Sequence, residues 1–133
     1  MLQLSAEAYR RIVSHVFAGM PFEACGLVAG TGPDRADVFH PTDNDAHSTR
    51  VYTVAPRQHL RAERDADDAG MIITGVVHSH THTDPYPSPT DVAAAPDPSW
   101  HYLIVSLRDE SPVLRSFLIV DGNVAEEPVI LFG

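Results

Sequence analysis

The segment that decides the fold reads MIITGVVHSHTHTDPYPSPTD and covers residues 71–91. Its first part, 71–77, is an almost continuous apolar run, which predicts a strand buried on both faces. Three prolines between 85 and 89 exclude a regular strand there and predict a stiff loop. The next residues predict the start of a helix, with Ser88 as its N-cap and a proline at its first position. A buried strand, a stiff loop and a helix start therefore succeed one another around a cluster of histidines.

The flanking sequence alternates helices with strands. Apolar residues recur at helical spacing after Ser5 and stop at Gly19, and a charged helix runs from Arg57 to Ala69 and ends at Gly70. Short apolar segments between turn residues predict the strands 24–30, 36–40, 51–54, 100–107, 113–120 and 124–132. These elements predict an α/β fold with a central mixed β-sheet flanked by helices.

The composition indicates one acidic domain that spans residues 1–133. A chain of 133 residues, 44% hydrophobic and 20% charged, has the size and composition of one globular domain. Nine arginines and no lysine face 18 acidic residues, and the net charge of −9 argues against binding to nucleic acid or to an anionic membrane. The single cysteine, Cys25, excludes an intramolecular disulfide, and no apolar run reaches the ~20 residues of a membrane span. We therefore expect a cytoplasmic protein without a signal peptide.

The histidines and acids of the segment have the spacing of a metal site. His78 and His80 are two residues apart, so in an extended backbone their imidazoles project to the same side. Asp91 lies in the first turn of the predicted helix, where the helix dipole favours the ionised carboxylate. Two imidazoles and one carboxylate suit Zn²⁺ with one position left for water. His80, His82 and Asp84 form a rival ligand set, which the sequence leaves open.

A zinc site that activates water also needs a carboxylate to carry the proton. Glu23 is the candidate, because it lies at the junction between the first helix and the strand 24–30, where a charge can point into a cleft. The nearby Cys25 sits in an apolar strand without an activating neighbour, so we interpret it as a packed side chain. The sequence alone does not bring Glu23 and the histidines together.

The spacing of these residues resembles that of the JAMM (MPN+, Mov34) metalloproteases. His78-x-His80, seven intervening residues, Ser88, two more and Asp91 match the family's His-x-His-x7-Ser-x-x-Asp motif, and the segment that begins at Glu23 is similar to that of its catalytic glutamate. The resemblance implies a cytidine-deaminase-like three-layer fold and one Zn²⁺ held by His78, His80, Asp91 and water. It also implies that Glu23 is general base and then general acid. Ser88 would stabilise the oxyanion, in competition with its role as N-cap.

Within this family the chain resembles the small bacterial enzymes that act on ubiquitin-like sulfur carriers. The similarity includes the pattern Asn44-x-x-x-Ser48-x-x-x-Tyr52. It implies hydrolysis of the amide bond after the C-terminal Gly-Gly of a carrier, with release of cysteine for cysteine biosynthesis. Asn44, Ser48 and Tyr52, with Tyr86 from the loop after the histidines, are the expected walls of the substrate cleft. A homodimer is compatible with the resemblance.

Two alternatives stay open at this point. One is a JAMM peptidase that trims extra C-terminal residues from a sulfur carrier or acts like a deubiquitinase, with the same chemistry. The other is a non-catalytic MPN binding module, which the complete ligand set and Glu23 disfavour. Arg57, Arg61 and Arg64 share one helix face and could meet an acidic carrier, although a solvated face is the simpler interpretation.

Overall fold

The computed structural model describes all residues, 1–133, and contains two β-sheets and three helices. Its elements are β1 (Leu2–Ser5), α1 (Ala6–Gly19), β2 (Cys25–Gly30), β3 (Arg35–Ala36), β4 (Val38–Thr42), α2 (Pro56–Asp68), β5 (Ile72–His80), α3 (Pro89–Ala93), β6 (His101–Ser106), β7 (Val113–Val120), β8 (Asn123–Glu127) and β9 (Val129–Phe132). None of the helices has the length and apolar character needed to cross a membrane.

The main sheet has six strands in the order β4-β2-β5-β6-β7-β8. Only β5 and β6 are parallel, and all other neighbours are antiparallel. α1 covers one face, where Ile12 and Val16 share a buried cluster with Val77. α2 covers the other face, where Ala62 shares a second cluster with Val76. Successive residues of β5 point to opposite faces, and both sets are buried because a helix covers each face. The predicted α/β fold with a central mixed sheet is confirmed.

The helix boundaries agree with the capping signals in the sequence. The Ser5 hydroxyl accepts a hydrogen bond from the backbone N of Ala8 at 3.0 Å and caps α1. α2 begins at Pro56, whose fixed φ suits the first helical position. Its end is followed by Gly70 with φ of +73°, a conformation that a side chain would disfavour. Both long helices therefore lie close to their predicted positions.

The prediction of a strand at 51–54 was wrong. This segment has no strand ladder, and its one β-bridge pairs Val54 with Asn44. The side-chain oxygen of Asn44 accepts a hydrogen bond from the backbone N of Thr53 at 2.8 Å, which takes the place of a strand ladder. The segment is therefore part of an ordered loop that packs near the end of β2.

The predicted strand 124–132 is divided in two by Pro128, which has no N–H to donate to a ladder. Its first half is β8 in the main sheet, and its second half is β9 in a small parallel sheet of order β3-β1-β9. The strand β1, which the sequence analysis missed, is the centre of this small sheet. The predicted strand 36–40 is likewise shared between β3 and β4.

A buried ion pair lies at the other end of β6 from the histidine motif. His101 Nδ1 is 2.6 Å from Glu127 Oε2, and the Ser116 hydroxyl donates to the same oxygen at 2.9 Å. Burial would lower the pKa of His101, but the hydrogen bond and charge of Glu127 outweigh it, so that pKa is raised. Burial would raise the pKa of Glu127, but hydrogen bonds, first of all from His101, hold it below its usual value.

We expect this pair to stabilise the fold most between pH 4.5 and 6.5, the ordinary pKa values of its two groups. The contribution of His101 to the stability of the fold is complete below pH 6.5 and is lost as the pH rises through its raised folded-state pKa. That of Glu127 is complete above 4.5 and is lost as the pH falls through its lowered pKa. In urea unfolding, Glu127→Gln should therefore be less stable than wild type by up to about 3–5 kcal/mol at about pH 5.5, and by less at about pH 8.5. Equal differences at both pH values would contradict this prediction.

Candidate metal centre

His78, His80 and Asp91 come together on the face of the main sheet that α2 covers. β5 continues as a strand through His80, so both imidazoles point to the same face, and α3 places Asp91 over the end of the strand. His78 Nε2, His80 Nε2 and Asp91 Oδ2 are 3.1 Å apart in all three pairings. All three residues are buried, and they are the one group of His, Cys, Asp or Glu side chains close enough to hold a metal ion together.

The spacing of the three atoms fits a tetrahedral ion. Ligand atoms about 2.0–2.1 Å from a tetrahedral Zn²⁺ are about 3.3–3.4 Å apart, close to the observed 3.1 Å. Two imidazole nitrogens and one carboxylate oxygen are also a donor set of open zinc sites, which keep a position for water. Electron-rich atoms that converge on one point repel each other unless a cation or a proton lies between them. The residues present therefore fit a zinc ion.

Neighbouring groups fix the orientation of each predicted ligand. His80 Nδ1 lies 2.7 Å from the backbone carbonyl of Asp84, and since a carbonyl only accepts, Nδ1 carries a proton and Nε2 faces the cluster. The ring of Tyr52 stacks on that of His78 with the centroids 4.2 Å apart and the planes at 16°. Asp91 Oδ2 accepts a hydrogen bond at 2.9 Å from the backbone N of the α3 N-cap. The cluster is thus held in shape by the chain itself.

The charge states of the cluster suit a cation. Burial would raise the pKa of Asp91, but its hydrogen bonds with His78 and His80 hold that pKa far below its usual range, so the group is a carboxylate. Burial lowers the pKa of His78 and favours the neutral imidazole, the form that binds metals. Burial would lower the pKa of His80, but its hydrogen bond with Asp91 outweighs burial and raises that pKa, so without a metal a proton on this imidazole balances the carboxylate. A divalent cation would take the place of that proton.

Glu23 lies beside this cluster. In the antiparallel pair β2–β5, Cys25 is opposite His78, so the continued register places Glu23 opposite His80. Glu23 is 4% exposed, and its Oε1 is buried without a hydrogen-bond partner. Burial raises the pKa of Glu23 to about 7, while the charge of His80 lowers it and that of Asp91 raises it. The structure therefore brings a carboxylate with a free oxygen to the three predicted ligands.

The loop after β4 holds the backbone of Glu23. The Ser48 carbonyl accepts from the Glu23 N at 2.8 Å, and Asn44 Nδ2 donates to the Glu23 carbonyl at 3.0 Å. The Asn44 amide also donates to the Val51 carbonyl at 3.0 Å and accepts two loop N–H groups, and Ser48 Oγ accepts two more. The side chains of Asn44 and Ser48, two of the four that we expected to contact substrate, are engaged within the loop. We propose that the Asn44 side chain and the Ser48 carbonyl also position Glu23, and their contact with substrate stays a prediction.

Asn44→Ala should therefore lower activity without loss of metal. The carbonyls of Glu23 and Val51 lose their donor, and we expect the free energy of unfolding to fall by about 1–3 kcal/mol. A displacement of Glu23 by about 1 Å should reduce kcat about 100-fold. Elemental analysis, urea unfolding and kcat measure the three effects, with the exposed Thr49→Ala of the same loop as control. An unchanged kcat in Asn44→Ala would contradict the positioning role.

Ser88 is the N-cap of α3, as predicted. Its hydroxyl oxygen accepts from the backbone N of Asp91 at 3.1 Å, and the Ser88 N donates to the Asp91 carboxylate, which completes a capping box. Capping uses a lone pair of the hydroxyl and leaves its proton free to donate. The two roles expected of Ser88 are therefore compatible, and its role at the oxyanion stays a prediction.

The remaining predicted residues lie outside the cluster. His82 is exposed, and the Asp84 carboxylate forms an ion pair with Arg108, so the structure does not assemble the rival ligand set. Tyr86 is 57% exposed and packs edge-on against the ring of Phe117, with the centroids 5.4 Å apart. Tyr86 therefore lies at the surface of the loop between β5 and α3.

The sequence analysis missed the side chains that anchor the site. Ser106 Oγ donates to the Thr83 carbonyl at 2.5 Å and fixes the loop after β5. Ser79 Oγ accepts at 2.9 Å from the backbone N of Ala24, the residue after Glu23. The sequence gives a signal for Ser79 only. Because side chains alternate along a strand, a residue between His78 and His80 must face the opposite side of the sheet.

Residues 5–120 match the family of prokaryotic homologues of the JAB domain, and the chain belongs to this family. It is a hydrolase of the JAMM type. The chain is 40% identical to the CysO-cysteine peptidase of Mycobacterium tuberculosis over 131 residues, which cover 97% of this chain and 90% of that protein. It is 37% identical to the Desampylase of Haloferax volcanii over 111 residues, which cover 79% of this chain and 80% of that protein.

Solved structures agree with the fold. The solution structure of a Desulfitobacterium hafniense protein superimposes with a TM-score of 0.91 at 35% identity and covers 99% of this chain and 93% of that one. The crystal structure of a JAB1/MPN domain protein from Archaeoglobus fulgidus has a TM-score of 0.64 at 18% identity, with coverage of 100% and 98%. At that identity the likeness shows the fold alone, and it confirms the fold that the resemblance implied.

Proposed function

We propose that this chain is a zinc-dependent peptidase that hydrolyses the amide bond after the C-terminal Gly-Gly of a ubiquitin-like sulfur carrier and releases cysteine. One observation carries the proposal: the buried group His78, His80 and Asp91 lies beside the unpartnered carboxylate oxygen of Glu23. The 40% identity to a CysO-cysteine peptidase over almost the whole chain supports the substrate. The reaction would serve cysteine biosynthesis in the cytoplasm.

Each residue has a role that its contacts support. His78, His80 and Asp91 would hold Zn²⁺, which supplies an electrophile that polarises the scissile carbonyl and makes a water molecule more acidic. Glu23 takes up the proton of the attacking water at Oε1, because this oxygen is buried and has no other partner. Glu23 then gives the proton to the leaving amine.

Ser88 would stabilise the charge that develops on the carbonyl oxygen. Its hydroxyl oxygen is held by the N–H of Asp91, so the position of the group is fixed by the start of α3. The remaining hydroxyl proton donates to the oxyanion, where a positioned donor has the largest effect. Tyr52 keeps the ring of His78 in place by stacking.

A ubiquitin-like carrier is the proposed partner. Its Gly-Gly end can enter a narrow cleft because glycine has no side chain. Arg57, Arg61 and Arg64 are exposed on α2 and take part in none of the ion pairs, which leaves them free to meet an acidic carrier. Light scattering of the purified protein tests the predicted homodimer.

A second candidate function uses the same residues on a different leaving group. The 37% identity to the Haloferax volcanii Desampylase favours a JAMM peptidase that acts like a deubiquitinase or trims extra residues after the Gly-Gly of a carrier. The two candidates differ only in the group attached to the second glycine. A non-catalytic module is disfavoured, because it would have no need of a buried carboxylate without a partner at position 23.

Incubation of the zinc-loaded protein with a carrier–cysteine adduct tests the proposed function. We expect the carrier to lose the mass of one cysteine residue and free cysteine to appear, with activity abolished by a chelator and restored by Zn²⁺. A carrier with two extra residues after Gly-Gly is the comparison substrate. Faster cleavage of this second carrier would favour the second candidate, and cleavage of neither would favour the binding module.

A further inference from the structure

An apolar cavity of about 260 Å³ lies next to the candidate metal centre. Its floor is formed by Leu27 and Val76, which face each other across β2 and β5. Val76 is two residues before His78 on the same face of β5, so the floor begins about 7 Å from that histidine. Tyr52 lines the cavity and also stacks on His78, so its ring separates the two sites.

The walls of the cavity come from three other segments. Val54 belongs to the loop before α2, Pro96 comes after α3, and Trp100 precedes β6. The volume suits one bulky side chain better than a drug-sized ligand, whose pockets measure about 300–1,000 Å³. None of the predicted ligands, nor Glu23, lines the cavity, so the proposed chemistry does not account for it.

The lining favours an uncharged occupant. His59 is the one basic side chain in it, and no carboxylate, lysine or arginine takes part. The ring of His59 packs at 5.7 Å from that of Trp100. A carboxylate that entered the cavity would lose its hydration and meet only His59, whose Nε2 already lies 3.0 Å from Glu63 Oε1. An apolar side chain would be buried favourably.

We propose that this cavity binds the apolar side chain of the residue that immediately precedes the Gly-Gly pair of the carrier tail. The inference rests on the proposed function. An extended tail advances about 3.3 Å per residue, so when the second glycine lies at the metal centre, the residue before the pair is about 7 Å away. That is the distance from His78 to the floor of the cavity. The glycines pass Tyr52 without side chains, and the first side chain of the tail enters the cavity.

The fluorescence of Trp100 offers a direct test, because it is the one tryptophan of the chain and lines the cavity. The zinc-loaded protein is titrated with tryptophan-free carriers that end in Leu-Gly-Gly, Ala-Gly-Gly and Asp-Gly-Gly. These carriers are reaction products, so the titration does not depend on hydrolysis. We expect a change in emission with Leu-Gly-Gly and an affinity at least about tenfold weaker with Asp-Gly-Gly. Equal affinities, or no binding of any carrier, would overturn the inference.

Two variants test whether the preference for the Leu-Gly-Gly carrier arises in the cavity. Val54→Asp places a carboxylate in the cavity wall and should weaken binding of the Leu-Gly-Gly carrier about tenfold. Leu60→Ala is the matched control, since Leu60 is 49% exposed on α2 and does not line the cavity. Equal losses in both variants would count against the cavity.

Cleavage assays separate the inference from the proposed function. If wild type hydrolyses the Leu, Ala and Asp versions of the cysteine adduct at the same kcat/KM, the cavity inference fails and the proposed function stands. If the Leu-Gly-Gly carrier binds preferentially but no adduct is cleaved, the proposed function fails and the cavity inference stands.

Discussion

The Glu23→Gln variant is expected to lose hydrolysis by about 10²- to 10⁴-fold while its metal content stays at the wild-type level. Glutamine has nearly the shape of glutamate but takes up no proton. The variant therefore has no group that transfers the proton of the attacking water to the leaving amine. Glu23 is not among the three residues whose ligand atoms converge, so the metal should stay bound. Elemental analysis and kcat on the same preparation give both values.

The stability of Glu23→Gln provides an independent check. Burial raises the folded-state pKa of Glu23 from 4.5 to about 7, so the native state holds a proton that the unfolded chain has lost between these values. The ionised carboxylate therefore destabilises the metal-free fold above pH 7, and the variant should be more stable than wild type at about pH 8. Glu126→Gln is the control, because Glu126 is an exposed glutamate paired with Arg115. Metal loss in Glu23→Gln would contradict its role as base.

His80→Ala and Asp91→Ala are expected to lose both the metal and the activity. Each substitution removes one of three converging ligand atoms, and a cation held by two protein ligands exchanges readily with solvent. Metal content should fall from about one ion per chain to near zero, and hydrolysis should fall to background. Elemental analysis after dialysis, with the same hydrolysis assay, measures both losses.

Two further variants make this second prediction specific. His82→Ala removes an exposed histidine two residues from His80 and should keep nearly one metal ion per chain. Asp91→Asn keeps a side-chain oxygen that can accept from the Ser88 N, so the start of α3 is preserved while the negative charge is lost. It should fold and yet bind metal weakly. Metal loss in His82→Ala as large as in His80→Ala would show that the proposed ligand set is wrong.

Much of the site could be predicted because its parts are local. Alternation along a strand places His78 and His80 on one face, and capping chemistry places Asp91 in the first turn of α3. The same kind of signal located α1 from Ser5 and α2 from Pro56. In each case a few neighbouring residues fix the backbone, so their spacing is enough.

Long-range pairing decided the points on which the sequence analysis was incomplete or wrong. Asn44 accepts a hydrogen bond from the backbone N of Thr53 through its side chain, which no local pattern foretold. Pro128 marks the break after β8, but only the folded chain shows that β9 joins a second sheet. The contacts of Asn44 and Ser48 with Glu23 likewise depend on the folded chain. Their hydrogen bonds reach the backbone of Glu23, more than twenty positions away in the chain.

The local order of residues was sufficient for the α/β class, for the histidine pair and for the aspartate in the first turn of α3. Only the folded chain shows that His80, and not His82, lies at the candidate metal centre. β5 stays paired with β6 as far as His80, which lies opposite Ser106, and His82 beyond it is exposed to solvent. Only the folded chain brings Glu23 to the histidines, through the antiparallel register of β2 and β5. The physical reason is that this register is set by the burial of apolar side chains on both faces of a six-stranded sheet. Those side chains come from residues far apart in the sequence.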